Sequence, residues 1–205
     1  MNITSPLPAP RDEPRRAALL DAAVSVFARF GFRKTSMDDV ARAAGVSRQG
    51  LYLLFTNKEE LFRQALEHSL SAQLSAAIAS LSRAEDDLET RLIAACTEWC
   101  GRFVGSLGAE ASDLLCASTA LAGATLARYE SQFEAALTST LQTSPLAPLC
   151  AAADLAPADL ARSLHGAVRG LKQTCNTRQE FAAGTTAMVR MICLPLNLRN
   201  KLKRS

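Results

Sequence analysis

Arg48, Gln49 and Tyr52 fall within five consecutive positions, and each carries hydrogen-bonding groups suited to nucleic acid. Arginine can donate two parallel hydrogen bonds to guanine, and glutamine can pair with adenine, in the major groove. Tyr52, about one helical turn beyond Arg48, can combine a ring contact with a hydroxyl bond to phosphate. Gly50 has no side chain and allows close backbone approach to a groove. Ser47 stands at the start of this segment. Thr35 and Ser36 open an earlier segment and can offer hydroxyl and backbone N–H groups to a phosphate. Lys58 can do similar work from the start of a later one.

Groups of this kind read DNA only if a helix presents them to the groove, so the flanking pattern decides whether they can act together. Ala41 lies four residues before Gly45, and Val46 and Leu51 follow at the interval that packs one short helix across another. A tight crossing needs a small side chain on the first helix and a turn residue tolerant of left-handed geometry. Ser36, with Asp39 three residues on, predicts the cap of the first of these helices, and Ser47 predicts the cap of the second. The first is expected to bury Met37, Val40, Ala41 and Ala44, and the second Leu51 and Phe55. A preceding helix is expected to open at Pro14 and end at Gly31, with Leu20, Ala23, Val24, Phe27 and Phe30 on one face. Asn57 predicts the cap of a long helix from Lys58 to about Leu81.

The chain has 205 residues, is 48% hydrophobic and only 5% aromatic. Its Ala- and Leu-rich composition favours packed helices over sheets, and no convincing strand or internal repeat is found. The net charge of +3 divides unevenly: +3 over residues 1–64, −4 over 65–198 and +4 over the last seven. A basic head on an acidic body suits nucleic-acid binding at one end. No apolar run is expected to span a bilayer and no signal peptide is evident, so the expected location is cytoplasmic, with no membrane partner. The expected organisation is a mobile arm over 1–13, a helix-turn-helix domain over 14–64, a helical body over 65–198, and a solvated basic tail over 199–205.

Beyond the long helix, a fifth is expected to start at 85–87 and run through Leu92, Cys96, Trp99 and Phe103 to stops at Gly105 and Gly108. A helical stretch follows over 110–143, broken near Gly123, then a loop marked by Pro145, Pro148 and residues 151–153. Helices over 157–175 and 178–194 complete about nine in all. Trp99 and Phe103, four apart, are candidate cavity-lining residues, with Cys100 beside them, although aromatic residues at that spacing also serve as plain core. The six cysteines, at 96, 100, 116, 150, 175 and 193, form no C-x-x-C pair and are expected to be reduced and mostly buried. Two histidines without tight Cys/His spacing give no metal set, and no nucleophile–base or carboxylate pair indicates an enzyme. No cofactor is expected.

Phe27-Ala-Arg-Phe-Gly-Phe32, Thr35-Ser-Met, Val40-Ala, Ala44-Gly-Val-Ser47, Leu51-Tyr52, Phe55 and Asn57-Lys-Glu-Glu-Leu61 occur in one order. On these elements residues 15–64 resemble the DNA-binding head of the TetR family of bacterial repressors. The resemblance implies an all-α fold, with 65–198 as a helical ligand-binding and dimerisation domain, and a homodimer paired through its last two helices. It also implies a palindromic double-stranded DNA operator and release by a small-molecule effector bound among the middle helices. Two departures stand out. Gln49-Gly50 replaces the family's frequent Gly-Thr, which removes a threonine contact and gives Gln49 more weight as a reader. Leu54 replaces a histidine or other polar residue. Two further readings remain open at this point: a thiol-based redox or electrophile sensor of the same fold, and a helical scaffold with non-specific DNA contacts.

Overall fold

The structure, a computed structural model, describes residues 13–105 and 111–202. Every regular element among them is helical, as the composition predicts. In chain order these are α1 (Glu13–Lys34), α2 (Met37–Ala43), α3 (Arg48–Leu54), α4 (Lys58–Leu81) and α5 (Leu88–Cys100). A 3₁₀ turn (Gly101–Phe103) then precedes α6 (Ala111–Gln142), α7 (Ala147–Ala152), α8 (Pro157–Thr174) and α9 (Arg178–Leu202). The chain forms two compact units. The first contains the described residues 13–70 and 111–123, the second 71–105 and 124–202.

In the first unit, α1 buries Leu19, Leu20, Ala23, Val24, Val26 and Phe27. Its regular turn is interrupted at Gly31, whose φ of 78° favours a residue without Cβ. The chain beyond folds Phe32 back against Phe27 and Phe62, with ring centroids 5.0–6.0 Å apart in edge-on and stacked pairs. Ser36 and Asp39 form a reciprocal capping box at the start of α2. At the other end of α2, the Gly45 N–H bonds to the Arg42 carbonyl and the Val46 N–H to the Ala41 carbonyl, at 3.3 and 3.0 Å. With Gly45 at φ 65°, this is a Schellman turn, which satisfies two carbonyls and redirects the chain into α3. Ala44 caps α2 and is only half-buried, whereas Met37, Val40 and Ala41 are buried as expected.

The second unit packs α5, α8 and α9 together with the 124–142 part of α6 over a core that includes Leu92, Phe133, Leu137, Leu164, Val168, Phe181 and Val189. A polar chain runs through the middle. The Trp99 indole N–H donates to His165 Nε2 at 3.1 Å, and His165 Nδ1 lies 2.8 Å from Glu134 Oε1. Tryptophan can only donate, so Nε2 must accept and Nδ1 carries the proton given to the carboxylate. That arrangement satisfies a histidine only 1% exposed.

Several sequence expectations change, among them Phe30, which is exposed and not on the buried face of α1. The α5 helix stops at Cys100, where the Phe181 ring stands 3.2 Å from the point a Cβ on Gly101 would occupy. Trp99 and Phe103 therefore do not share one α-helical face. The expected loop near Pro148 contains the short helix α7, since proline is tolerated in a first helical turn. Helix α9 does not end at 194 but passes through Pro195 to Leu202, with the proline on an exposed face. The backbone of residues 199–202, expected as a solvated tail, is thus helical. Arg178–Leu198 is also long and apolar enough to cross a membrane by length and composition, contrary to expectation. Part of that character is explained by Phe181, Val189 and Cys193, which are buried in the second unit. The expected stop at Gly108, residues 1–12 of the expected arm and residues 203–205 of the tail lie outside the described residues; Glu13 opens α1.

Two outcomes follow for stability. Gly45→Ala meets no atom within 4 Å, so its cost is backbone strain alone, about 1–2 kcal/mol read from the urea midpoint, with Gly45→Asn costing less. The carboxyls of Asp39, Glu60 and Asp87 accept hydrogen bonds at Ser36, Thr56 and Thr90, which hold all three below the usual carboxylate range. A lowered folded pKa means this stabilisation is complete above the unfolded value, near pH 4, and is lost as pH falls through the folded values. Thermal midpoints measured from pH 7 to 2.5 should decline below about pH 4. Asn at the three positions should flatten that decline.

Candidate nucleic-acid interface

Leu51 sets the orientation of α3. It is 0% exposed, and Phe55, closing the helix, is 1% exposed. At roughly 100° per residue, the direction opposite Leu51 falls between Gln49 and Leu53. Arg48 and Tyr52 lie together on one flank, and Gly50 and Leu54 on the other. Gln49 is exposed, and Tyr52, Leu53 and Leu54 are 44, 80 and 50% exposed. Ser47 caps the helix by accepting the Gly50 N–H at 3.0 Å. Its hydroxyl lies 3.1 Å from the place of a Cβ at Gly50, so a larger residue there would press on the cap.

Arg48 is engaged before any partner arrives. Its Nη1 donates to Asp38 Oδ2 at 3.0 Å, and its guanidinium lies 5.7 Å from the Tyr52 ring centroid. The second Asp38 oxygen, Oδ1, is buried without a hydrogen-bond partner among the described residues. Asp38 thus offsets the arginine's charge while leaving the remaining guanidinium donors to face outward. Sequence reasoning missed Asp38. The available signal was its place in the first turn of α2, which the Gly45 turn brings beside the first turn of α3.

Three residues assigned to phosphate from sequence already have internal partners. Thr35 is 2% exposed and its hydroxyl donates to the Gly31 carbonyl at 2.6 Å. The Ser36 N–H and hydroxyl both donate to Asp39 Oδ2, at 3.0 and 2.6 Å. Lys58 Nζ donates to the carbonyls of Phe32 and Thr35 at 3.0 Å each and approaches that of Arg33 at 3.4 Å. It also stands 4.5 Å from the Phe32 ring centroid. Lysine has three donors, and here three carbonyls meet them. The ammonium closes the end of α1, where its charge also offsets the negative end of the helix dipole.

The effector residues read from sequence, Trp99, Phe103 and Cys100, line neither of the two grooves described in the second unit. Trp99 and Cys100 are buried, and Phe103 is half-buried in the 3₁₀ turn. A groove of about 430 Å³ instead lies beside them, lined by Gln73, Thr97, Glu98, Arg102, Arg178 and Phe181. Burial pushes the Cys100 and Cys193 thiols up to about 11, and the Cys96 thiol higher still. Among the described residues no group of three or more His, Cys, Asp or Glu is arranged to hold a metal ion.

The sequence model described as bacterial regulatory proteins, tetR family, matches residues 19–65. The HTH-type regulator YfiR of Bacillus subtilis is 47% identical over 60 residues, 29% of each chain. The HTH-type transcriptional activator FasR of Mycolicibacterium smegmatis is 41% identical over 86 residues, 42% of this chain and 38% of that one. The HTH-type transcriptional repressor ComR of Escherichia coli is 36% identical over 77 residues, 38% of this chain and 37% of that one. The match therefore spans less than two fifths of each relative's length. Two solved structures share the fold over most of the chain. A TetR-like transcriptional regulator from Rhodococcus sp. RHA1 has a TM-score of 0.60 at 24% identity, covering 92% of this chain and 99% of that one. The TetR family regulator PfmR from Thermus thermophilus has a TM-score of 0.60 at 17% identity, covering 85% and 96%.

Lys58→Met keeps the aliphatic stem and removes the donors from the end of α1. It should lower stability by about 1–3 kcal/mol in urea denaturation, the cost of leaving half-buried carbonyls unmet. An unchanged midpoint would show that water replaces the ammonium without loss.

Proposed function

We propose that this chain, whose residues 19–65 are a helix-turn-helix head of the tetR family, is a one-component transcriptional regulator acting in the cytoplasm. The observation that carries the reading is the exposed outer face of α3. It presents Arg48, Gln49 and Tyr52 beyond a Schellman turn that fixes α3 across α2. Two such heads, one per subunit of a homodimer, would enter successive major grooves of a palindromic operator about one helical turn apart. The unpaired side of α9 supports pairing through the last helices: Met191, Leu194 and Leu198 are exposed at helical spacing. Repression is the mode we assign, with an effector lowering operator affinity through the reciprocal coupling of two binding sites.

The groove beside the 3₁₀ turn is of a size suited to a small molecule, and we assign the effector to it in place of Trp99, Phe103 and Cys100, none of which lines it. Its Glu98, Arg102 and Arg178 make it more polar than composition suggested. Helix α6 is interrupted at Ala122, close to the expected break near Gly123, and is divided between the units, residues 111–123 in the first and those from 124 in the second. Within the first unit, Asp113 accepts the Arg33 N–H at 2.9 Å and pairs with its Nε at 3.2 Å. Displacement of the start of α6 would thus pull on the end of α1. Thiol sensing at Cys96, Cys100 or Cys193 is disfavoured because burial holds these thiols in the unreactive protonated form, whereas Cys116 is exposed and Cys175 half-buried.

Footprinting across DNA upstream of the chain's own gene should reveal a protected palindrome at physiological salt. Protection without sequence preference would favour the scaffold reading. On that site, Arg48→Ala should cost about 1–3 kcal/mol and relax preference at one base pair. Asp38→Asn, which frees Arg48 for any phosphate, should tighten binding to random duplex and steepen its salt dependence by about one counterion. Equal losses for Arg48→Ala on operator and random DNA would remove Arg48 as a base reader.

A further inference from the structure

Leu53 is the most exposed large hydrophobic residue among those described, at 80%, and it stands one turn beyond Gln49 at the centre of the outward face of α3. Single exposed leucines are common on protein surfaces and need no explanation. This one occupies the part of α3 that must lie deepest in a groove if the flanking Arg48 and Tyr52 are to reach it. A leucine buried there has no donor or acceptor to exchange for the water it displaces from polar base edges. Unmodified DNA offers one apolar group in the major groove, the C5-methyl of thymine.

We propose that Leu53 is a specificity-determining residue that reads a thymine methyl, acting together with Gln49 on an adenine about one or two base pairs away. The inference rests on the DNA-reading function proposed above and deepens it. The roughly 6 Å rise between residues four apart on a helix matches one to two base-pair steps, and both side chains leave the helix in nearly the same direction. Leu54, on the far flank beside Gly50, is less exposed and points away from this centre. The pair divides the work: the amide supplies directional hydrogen bonds, and the leucine supplies contact area that only a methyl group repays.

The test uses the footprinted operator with each thymine replaced in turn by deoxyuridine, which deletes the C5-methyl and keeps every hydrogen-bonding group. Wild-type protein should lose about fourfold in affinity at one thymine of each half-site, the worth of roughly one methyl group. Leu53→Ala should bind the thymine and uracil duplexes equally, at or below the wild-type affinity for the uracil duplex. Gln49→Ala should still distinguish thymine from uracil while losing preference at the neighbouring adenine. A thymine–uracil difference that persists in Leu53→Ala overturns the assignment, as does a wild-type protein indifferent to every replacement; in both cases the operator reading stands. A change of oligomeric state in Leu53→Ala with the thymine–uracil difference intact also overturns it, by showing that the leucine meets another copy of the chain. Absence of any specific site overturns both readings together.

Discussion

The last carbonyls of an α-helix have no partner within the helix, and where α1 ends against its neighbours they need one. One ammonium group meets this need. Lys58, the first residue of α4, reaches the carbonyl of Phe32 in the last turn of α1 and that of Thr35 in the link to α2, with its charge against the Phe32 ring. The same reach joins the end of one helix, the entry to the next and the start of a fourth. The aromatic group of Phe27, Phe32 and Phe62 stands beneath it, so polar and apolar contacts fix the same junction. The aim of α2 depends on that junction. The aim of α3 depends on α2 through the Gly45 turn, whose two hydrogen bonds allow little latitude.

Held in this way, α3 can spend its side chains outward. It has seven residues, one of them fully buried, and alone it would be too short to persist in water. Its shape is therefore borrowed from the junction, the turn and the Ser47 cap. That frees Arg48, Gln49, Tyr52 and Leu53 from any packing duty. The Asp38 carboxylate then sets a threshold for Arg48: a competing acceptor must replace a charge-assisted hydrogen bond before it gains the guanidinium. On the proposed reading, a neutral guanine edge accepts two hydrogen bonds without adding charge beside Asp38, whereas a phosphate, which can also accept two, brings an anion toward that carboxylate. The pair thus disfavours indiscriminate grip more than it disfavours directed reading.

How much of this was legible follows from the range of each interaction. The helices, the capping box, the Gly45 turn and the buried pair Leu51 and Phe55 all arise from residues a few positions apart, and sequence spacing expresses them directly. Lys58 was visible as a cation, but its targets lie 23 to 26 positions earlier, and no local pattern separates a carbonyl cap from a phosphate contact. Thr35 was misjudged for a related reason, because its hydroxyl turns inward only once Gly31 has bent the chain. The pairing of Asp38 with Arg48 required α2 and α3 to be crossed before their first turns could meet. In the second unit, Trp99 looked like a pocket residue until His165, 66 positions away, took its N–H. Helix α9 runs past the expected end at 194 because Pro195 sits where the lost hydrogen bond falls on an exposed face.

The two units place polar groups under opposite constraints, and this separates what each can do. In the head, Arg48 and Gln49 keep donors toward solvent, so binding a polyanion replaces water with phosphate or base at modest desolvation cost. In the second unit, the chain from Trp99 through His165 to Glu134 is closed upon itself, with its histidine and indole buried. Opening it to receive a ligand would strand a donor and an acceptor in a low-dielectric core, at a cost of about 1–3 kcal/mol for each group left unmet. The groove along the 3₁₀ turn, where Arg178 holds the Arg102 carbonyl at 2.9 Å and Glu98 and Arg178 are exposed, demands no such opening. The buried network therefore acts best as a fixed wall. On the proposed reading, an effector in the groove would lie against Gly101 and Phe181 and would act on the 3₁₀ turn and the start of α9.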